Sequence, residues 1–110
     1  MTLEGSLDVT VGPNAVSFSF TVTNTGDDPV DLQFTDGCKA DFVVRQDGRE
    51  RWRYSDGRMF VQVLSTDTLE SGEGVTYDCD WDAHSEGSFT AEAELQARNK
   101  ECTATRSFTV

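Results

Sequence analysis

His84, the cysteines Cys38, Cys79 and Cys102, and the triplet Asp78, Asp80 and Asp82 are the side chains here whose types and spacing could do covalent or metal chemistry. A nucleophile needs a base, and the base needs a group to orient it. His84 is the single histidine, and its setting, Asp82-Ala83-His84-Ser85-Glu86, reads as an exposed polar loop. The chain has no G-x-S-x-G elbow, H-E-x-x-H pair or glycine-rich phosphate loop. Three thiols without a C-x-x-C, beside one histidine, do not supply the four ligands of a structural zinc site. The aspartate triplet has the i, i+2, i+4 spacing that opens an EF-hand loop. That loop then fails, with Ala83 where glycine is needed and Phe89 where the bidentate glutamate is needed. Tyr77, Cys79 and Trp81 interleave with the acids instead, the pattern of a strand with an acidic outer face. Cys79 is therefore expected to be an inert core hydrophobe, with Cys38 more exposed after its turn and Cys102 opening the last strand. Three reduced thiols are the expected state; if one disulfide forms, Cys38–Cys102 is the pair best placed for it. The chemistry excludes more than it offers: no catalytic residue, no metal and no cofactor is expected, and the chain reads as a non-enzyme.

Recognition chemistry is better represented. Residues 47–64, DGRERWRYSDGRMFVQVL, hold two Asp-Gly turns and an aromatic strand. Between positions 45 and 58 lie Arg45, Arg49, Arg51, Arg53 and Arg58 against Asp47, Glu50 and Asp56, a net of +2 on a chain of net charge −11. Such a basic island calls for internal pairing with neighbouring acids or for a partner that carries negative charge. Strand alternation puts Arg49, Arg51 and Arg53 on one side and Glu50, Trp52 and Tyr54 on the other. One reading makes the aromatics core and the arginines a solvated stripe. The other makes this a recognition edge, since arginine and aromatics are favoured interface residues. Ser55, Asp56, Gly57 and Arg58 then form an exposed tip, with Met59 and Phe60 as apolar anchors. The candidate partner-binding residues are Arg49, Arg51, Arg53, Ser55, Asp56, Gly57, Arg58, Met59 and Phe60.

The elements that must position these residues follow from a period of two. Leu7, Val9 and Val11 alternate with polar residues, as do Val16, Phe18, Phe20 and Val22, then Val30, Leu32 and Phe34. Phe42 and Val44, the run through Val75, Tyr77, Cys79 and Trp81, and the run Phe89, Ala91, Ala93, Leu95 and Ala97 repeat the pattern. This is the signature of half-buried strands, and no window of helical length shows a 3.6 period. Turn residues separate the runs: Gly12-Pro13-Asn14, Asn24 with Gly26 and Pro29, Asp36-Gly37, Asp47-Gly48, Asp56-Gly57, Gly72 with Gly74, and Gly87. About seven to nine short antiparallel strands in 110 residues predict an all-β, immunoglobulin-like antiparallel β-sandwich, one domain over residues 1–110.

Composition narrows the setting. There are 20 acids against 9 basic residues, scattered along the chain, and Lys39 and Lys100 are the only lysines. A dispersed anionic surface suits the salty cytoplasm of a halophile, where the screening length falls to about 3 Å at molar salt. The same charge argues against nucleic acid, whose phosphates need a broad basic surface. No apolar run is long enough to span a membrane, and the start, MTLEGSLDV, does not read as a secretory leader. A cytoplasmic monomer that meets another protein is expected.

Several short pieces, taken in order, resemble the BsuPI-type intracellular proteinase inhibitor domains. Val22-Thr23-Asn24 is similar to the end of an early strand in that family. Phe34, Gly37, Asp41 and Phe42 resemble its F-x-x-G…D-F step. Trp52-Arg53-Tyr54-Ser55 with Gly57, Phe60 and Gln62 resembles its W-R-x-S-x-G-x-x-F-x-Q core. Leu69, Gly72 and Glu73 resemble its L-x-P-G-E turn, with Ser71 in place of the proline, and Trp81 its later tryptophan. The resemblance implies an immunoglobulin-like sandwich and inhibition of intracellular subtilisin-like serine proteases by surface binding. The alternative is a non-inhibitory, immunoglobulin-like interaction or accessory module of a halophilic cytoplasm. No reactive-site residue comes with the resemblance.

Overall fold

The alternating runs become strands in the computed structural model, which describes residues 3–82 and 86–110. His84 lies outside the described residues. Nine strands follow in order: β1 (Leu3–Val11), β2 (Val16–Asn24), β3 (Val30–Phe34), β4 (Ala40–Gln46), β5 (Arg49–Arg53), β6 (Ser65–Leu69), β7 (Gly74–Trp81), β8 (Ser88–Leu95) and β9 (Thr103–Thr109). They build a three-stranded sheet β1-β2-β7, a two-stranded ladder β3-β6 and a four-stranded sheet β5-β4-β8-β9, all antiparallel.

Period two decides what each strand buries. On β2, Val16, Phe18, Phe20 and Val22 are buried, and on β8, Phe89, Ala91, Ala93 and Leu95. Aromatic rings join the layers: Phe18 stacks on Phe42 and Trp52 at 6.2 Å between centroids, and Trp52 stacks on Trp81 at 6.3 Å. Trp81 meets Phe89 edge-on at 5.2 Å. Such pairs add about 1 kcal/mol each beyond the area they bury. Val30, Leu32, Phe34 and Leu69 bring the β3–β6 ladder into the same core.

Two glycines answer geometric demands. A Cβ on Gly5 would lie 2.8 Å from the Thr103 carbonyl oxygen and 2.9 Å from Cys102 Sγ, so β1 approaches the start of β9 only because position 5 has no side chain. Asp47 (φ 53°) and Gly48 (φ 79°) turn β4 into β5. Positive φ at both central residues is the hairpin geometry whose twist matches the strands, and Asp-Gly is a preferred pair for it.

The alternation expected for residues 49–54 breaks. Val44 faces Trp52 while Arg45 faces Glu50, so Arg51 is the extra residue of a β-bulge. The bulge brings Arg53 and Glu50 together, and their side chains meet at 2.9 Å instead of pointing to opposite faces.

The three thiols are free. Cys38 is buried rather than exposed. The Asp36 carboxylate accepts its N–H at 2.8 Å, and its Sγ turns inward to the Ala40 carbonyl at 3.6 Å. Burial pushes the Cys79 thiol up to about 12, with Asp80 adding to the shift, and Cys38 up to about 11, with Asp41 and Asp36 adding. Burial raises Cys102 as well. An unfolded thiol releases its proton near 9.0, so the stability contributed by these groups is complete below that pH and is lost as pH climbs toward about 12. Near neutral pH the folded protein is expected to react only slowly with an aromatic disulfide reagent, and all three cysteines are expected to react at once after denaturation. Reaction of the folded thiols at the rate of free cysteine would overturn this.

Candidate functional site

Strand β4 is buried on both faces from Ala40 to Val44. Phe42 and Val44 enter the core, as alternation requires. Asp41 points the other way, yet it is only 9% exposed. The chain leaving β5 covers it: the Tyr54 N–H donates to the Phe42 carbonyl at 2.8 Å and carries residues 53–55 across the strand. The Asp41 carboxylate then accepts the Ser55 N–H at 3.0 Å, the Ser55 hydroxyl at 2.6 Å, the Phe42 N–H at 2.9 Å and Arg53 Nη1 at 3.3 Å. Arg53 also holds Glu50, and that hydrogen bond leads the causes that raise its pKa further above the ordinary arginine value. A carboxylate that takes four donors fixes the path of the chain just before it becomes irregular.

Beyond this cradle, residues 54–57 turn, with the Asp56 N–H on the Arg53 carbonyl at 3.1 Å, the Arg58 N–H on the Ser55 carbonyl at 3.3 Å, and Gly57 at φ 76°. Residues 58–64, Arg-Met-Phe-Val-Gln-Val-Leu, follow outside any ladder until β6 begins. Three contacts fasten them. Arg58 lies over the Tyr54 ring at 4.3 Å, Phe60 packs on Tyr54 at 6.2 Å, and the Val61 carbonyl accepts the Gly37 N–H at 2.9 Å. The other side chains face outward: Met59 is 98% exposed, Leu64 78%, Val61 73% and Val63 53%. A cavity of about 290 Å³ lies beneath, lined by Gly37, Cys38, Phe42, Tyr54, Phe60 and Tyr77. The Tyr77 hydroxyl is buried and has no hydrogen-bond partner among the described residues. Burial, with the Asp67 charge second, pushes it up to about 12.

The basic island is thus partly consumed inside the protein. Arg45 pairs with Glu92 at 3.2 Å, Arg51 donates to Gln46, and Arg53 bridges Asp41 and Glu50. Arg49 is exposed on β5. Ser55 is turned inward onto Asp41, whereas Asp56, Gly57, Arg58 and Met59 are exposed. Phe60 is half-buried and serves as an internal fastening. Sequence reasoning passed over Val61, Val63 and Leu64, which extend the exposed apolar run, and the part played by Asp41 beneath it. The readable signal was an apolar stretch, residues 59–64, that contains no charged residue in a strongly acidic chain. The acidic face Asp78, Asp80 and Asp82 is exposed, Asp78 accepts the Ser19 hydroxyl at 2.6 Å, and no metal-holding cluster occurs among the described residues.

Solved structures share the fold. A CARDB domain from Pyrococcus furiosus, determined in solution, matches with TM-score 0.55 at 18% identity, covering 99% of this chain and 94% of that one. A β-glucosidase from Kluyveromyces marxianus in complex with glucose matches with TM-score 0.54 at 16% identity over 99% of this chain, which spans only 14% of the enzyme. The sporulation control protein Spo0M from Bacillus subtilis matches with TM-score 0.53 at 11% identity, covering all of this chain and 49% of that one. At these identities the likeness concerns the fold alone: an all-β, immunoglobulin-like arrangement of antiparallel sheets. No curated protein matches the chain in sequence. The BsuPI family model, described as intracellular proteinase inhibitor, matches residues 3–100, and the cradle of Asp41, Arg53 and Ser55 falls within that match; the chain belongs to the BsuPI family of intracellular proteinase inhibitors.

Proposed function

We propose that this domain inhibits a subtilisin-like serine protease of its own cytoplasm, as a monomer and without chemistry of its own, by laying residues 58–64 along the protease cleft. One observation carries the reading: an exposed apolar segment, outside any ladder, fastened at Arg58, Phe60 and Val61 to a rigid sandwich. Proteases bind an extended chain as an added strand and seat alternate side chains in pockets. Seven residues, when drawn out as a strand on docking, span about 23 Å at ~3.3 Å per residue. A segment held in place before binding loses little freedom on docking, which is how inhibitors gain affinity over substrates. The nine candidate residues divide accordingly. Asp56, Gly57, Arg58 and Met59 face the protease, Arg49 and Arg51 form a rim, and Arg53, Ser55 and Phe60 hold the segment from within.

The acidic surface fits a halophilic cytoplasm, so inhibition is best measured in molar potassium chloride. Purified domain is expected to abolish the activity of an intracellular subtilisin-type protease at equimolar ratio. Replacing residues 58–64 by a glycine-serine segment of equal length is expected to remove the effect. The double substitution Arg49→Glu, Arg51→Glu should weaken it by no more than about tenfold, since rim charges contribute little. Undiminished protease activity at large excess of the intact domain would leave the accessory-module reading in its place.

A further inference from the structure

We propose that Met59 selects the target: its side chain fills the primary pocket of the protease, and that pocket is deep, apolar and uncharged. The proposal rests on inhibition through residues 58–64 and adds which residue of the segment decides the partner.

Met59 sits between two of the three fastenings, Arg58 and Phe60. On one side the Arg58 N–H is bonded to the Ser55 carbonyl at 3.3 Å and the Arg58 guanidinium lies on Tyr54 at 4.3 Å. On the other side Phe60 packs on Tyr54, and one residue later the Val61 carbonyl is bonded to the Gly37 N–H at 2.9 Å. The backbone around position 59 is therefore held at both flanks while its side chain is 98% exposed, the most exposed large apolar side chain among the described residues. A primary pocket demands this combination: a fixed backbone that presents one projecting side chain. Leu64 is exposed too, yet it adjoins β6 at the far end of the segment. Val61 and Val63 are less exposed than Met59, at 73% and 53%, and would meet neighbouring, shallower ground.

The chemistry of the side chain names the pocket. Methionine is unbranched and polarisable, and fills a narrow apolar slot of irregular shape. The one cation at the tip, Arg58, lies over the Tyr54 ring at 4.3 Å, a contact it would give up to reach a carboxylate at the base of a pocket. Residues 59–64 contain no charge, so nothing in the segment favours a charged pocket over an apolar one.

The test uses the full chain and an intracellular subtilisin-type protease assayed with a chromogenic peptide. Met59→Asp is expected to raise the inhibition constant by about 100-fold or more, as for an anchor residue in a desolvated pocket. Met59→Leu should stay within about tenfold of the parent, because both fill an apolar slot. Gln62→Asp, a charge placed elsewhere on the same segment, should cost less than Met59→Asp. A side chain this exposed supports no core, so all three variants should melt with the parent. If the parent inhibits and Met59→Asp inhibits equally well, Met59 is not the selector and the inhibitor reading stands. If the parent itself does not inhibit, both fall.

Discussion

Asp41→Ala is expected to lower stability by about 3 kcal/mol and to weaken inhibition even where the protein remains folded. Four donors converge on this one carboxylate: Phe42 N–H, Ser55 N–H, the Ser55 hydroxyl and Arg53. Hydrogen bonds to a charged group contribute about 1.5–3 kcal/mol each, but the losses overlap, because Arg53 keeps Glu50 and water reaches a half-buried Ser55. A drop of this size corresponds to roughly 10 °C or more in melting temperature for a chain of this length. The second consequence separates the cradle from ordinary packing. Without Asp41 the turn at residues 54–57 loses its anchor, residues 58–64 sample more conformations, and the inhibition constant rises. Asp41→Asn keeps the shape and part of the acceptor capacity, so it should fall between. A variant that melts with the parent would show that the four bonds contribute nothing net.

Asn24→Ala is expected to destabilise by about as much or more, with the opposite functional outcome. Asn24 is fully buried. Its side-chain amide donates to the Asp28 carbonyl at 2.8 Å and the Leu69 carbonyl at 2.9 Å, and its oxygen accepts the Gly26 N–H at 2.9 Å. Its backbone meets Glu73 and Gly72 at 2.9 and 2.8 Å. One residue thus ties the β2–β3 turn to the β6–β7 turn. Alanine leaves three buried or half-buried polar groups without partners, at about 1–3 kcal/mol each before relaxation, and a net loss of about 3–4 kcal/mol follows. Asn24→Asp should not rescue, because a carboxylate cannot donate to two carbonyls. Chemical denaturation read by tryptophan fluorescence measures the loss. Leu69 pairs with Val30 at one end of the β3–β6 ladder, whereas residues 58–64 run into Ser65 at the other. Stoichiometric inhibition should therefore survive at temperatures where the variant is folded, in contrast to Asp41→Ala.

Much of the fold was legible in the sequence, and the exceptions have physical reasons. Phe18 and Phe20 on β2, or Ala91 and Ala93 on β8, announce their inward face because period two is enforced wherever one face is buried. The Asp47-Gly48 hairpin was legible because so few residue pairs accept its backbone. Strand β6 was not legible: Ser-Thr-Asp-Thr-Leu buries only Leu69, so its pairing with β3 rests on backbone bonds that leave no hydrophobic pattern. Residues 59–64 show the reverse. Their composition is strand-like, yet they join no ladder, because β propensity describes fitness for a pleated surface and not the presence of a neighbour. The cradle escaped for a third reason. Alternation correctly turns Asp41 away from the core, but no local pattern reveals that a later segment folds back and covers it. The bulge at Arg51 is likewise invisible, since one added residue changes the facing of every side chain after it without altering the composition.

The exposed run carries a hazard for the protein itself. Six residues with strong strand-forming tendency and neither proline nor charge make a sticky tape that would zip onto the same tape of a sister molecule. The surplus of carboxylates, −11 per molecule, guards against this only at low salt, where two copies must overcome their mutual repulsion before their tapes touch. That guard thins as acid neutralises the carboxylates and is largely gone at molar salt, where self-association through the exposed run is expected to be strongest; on the proposed function, a docked protease would cover the run.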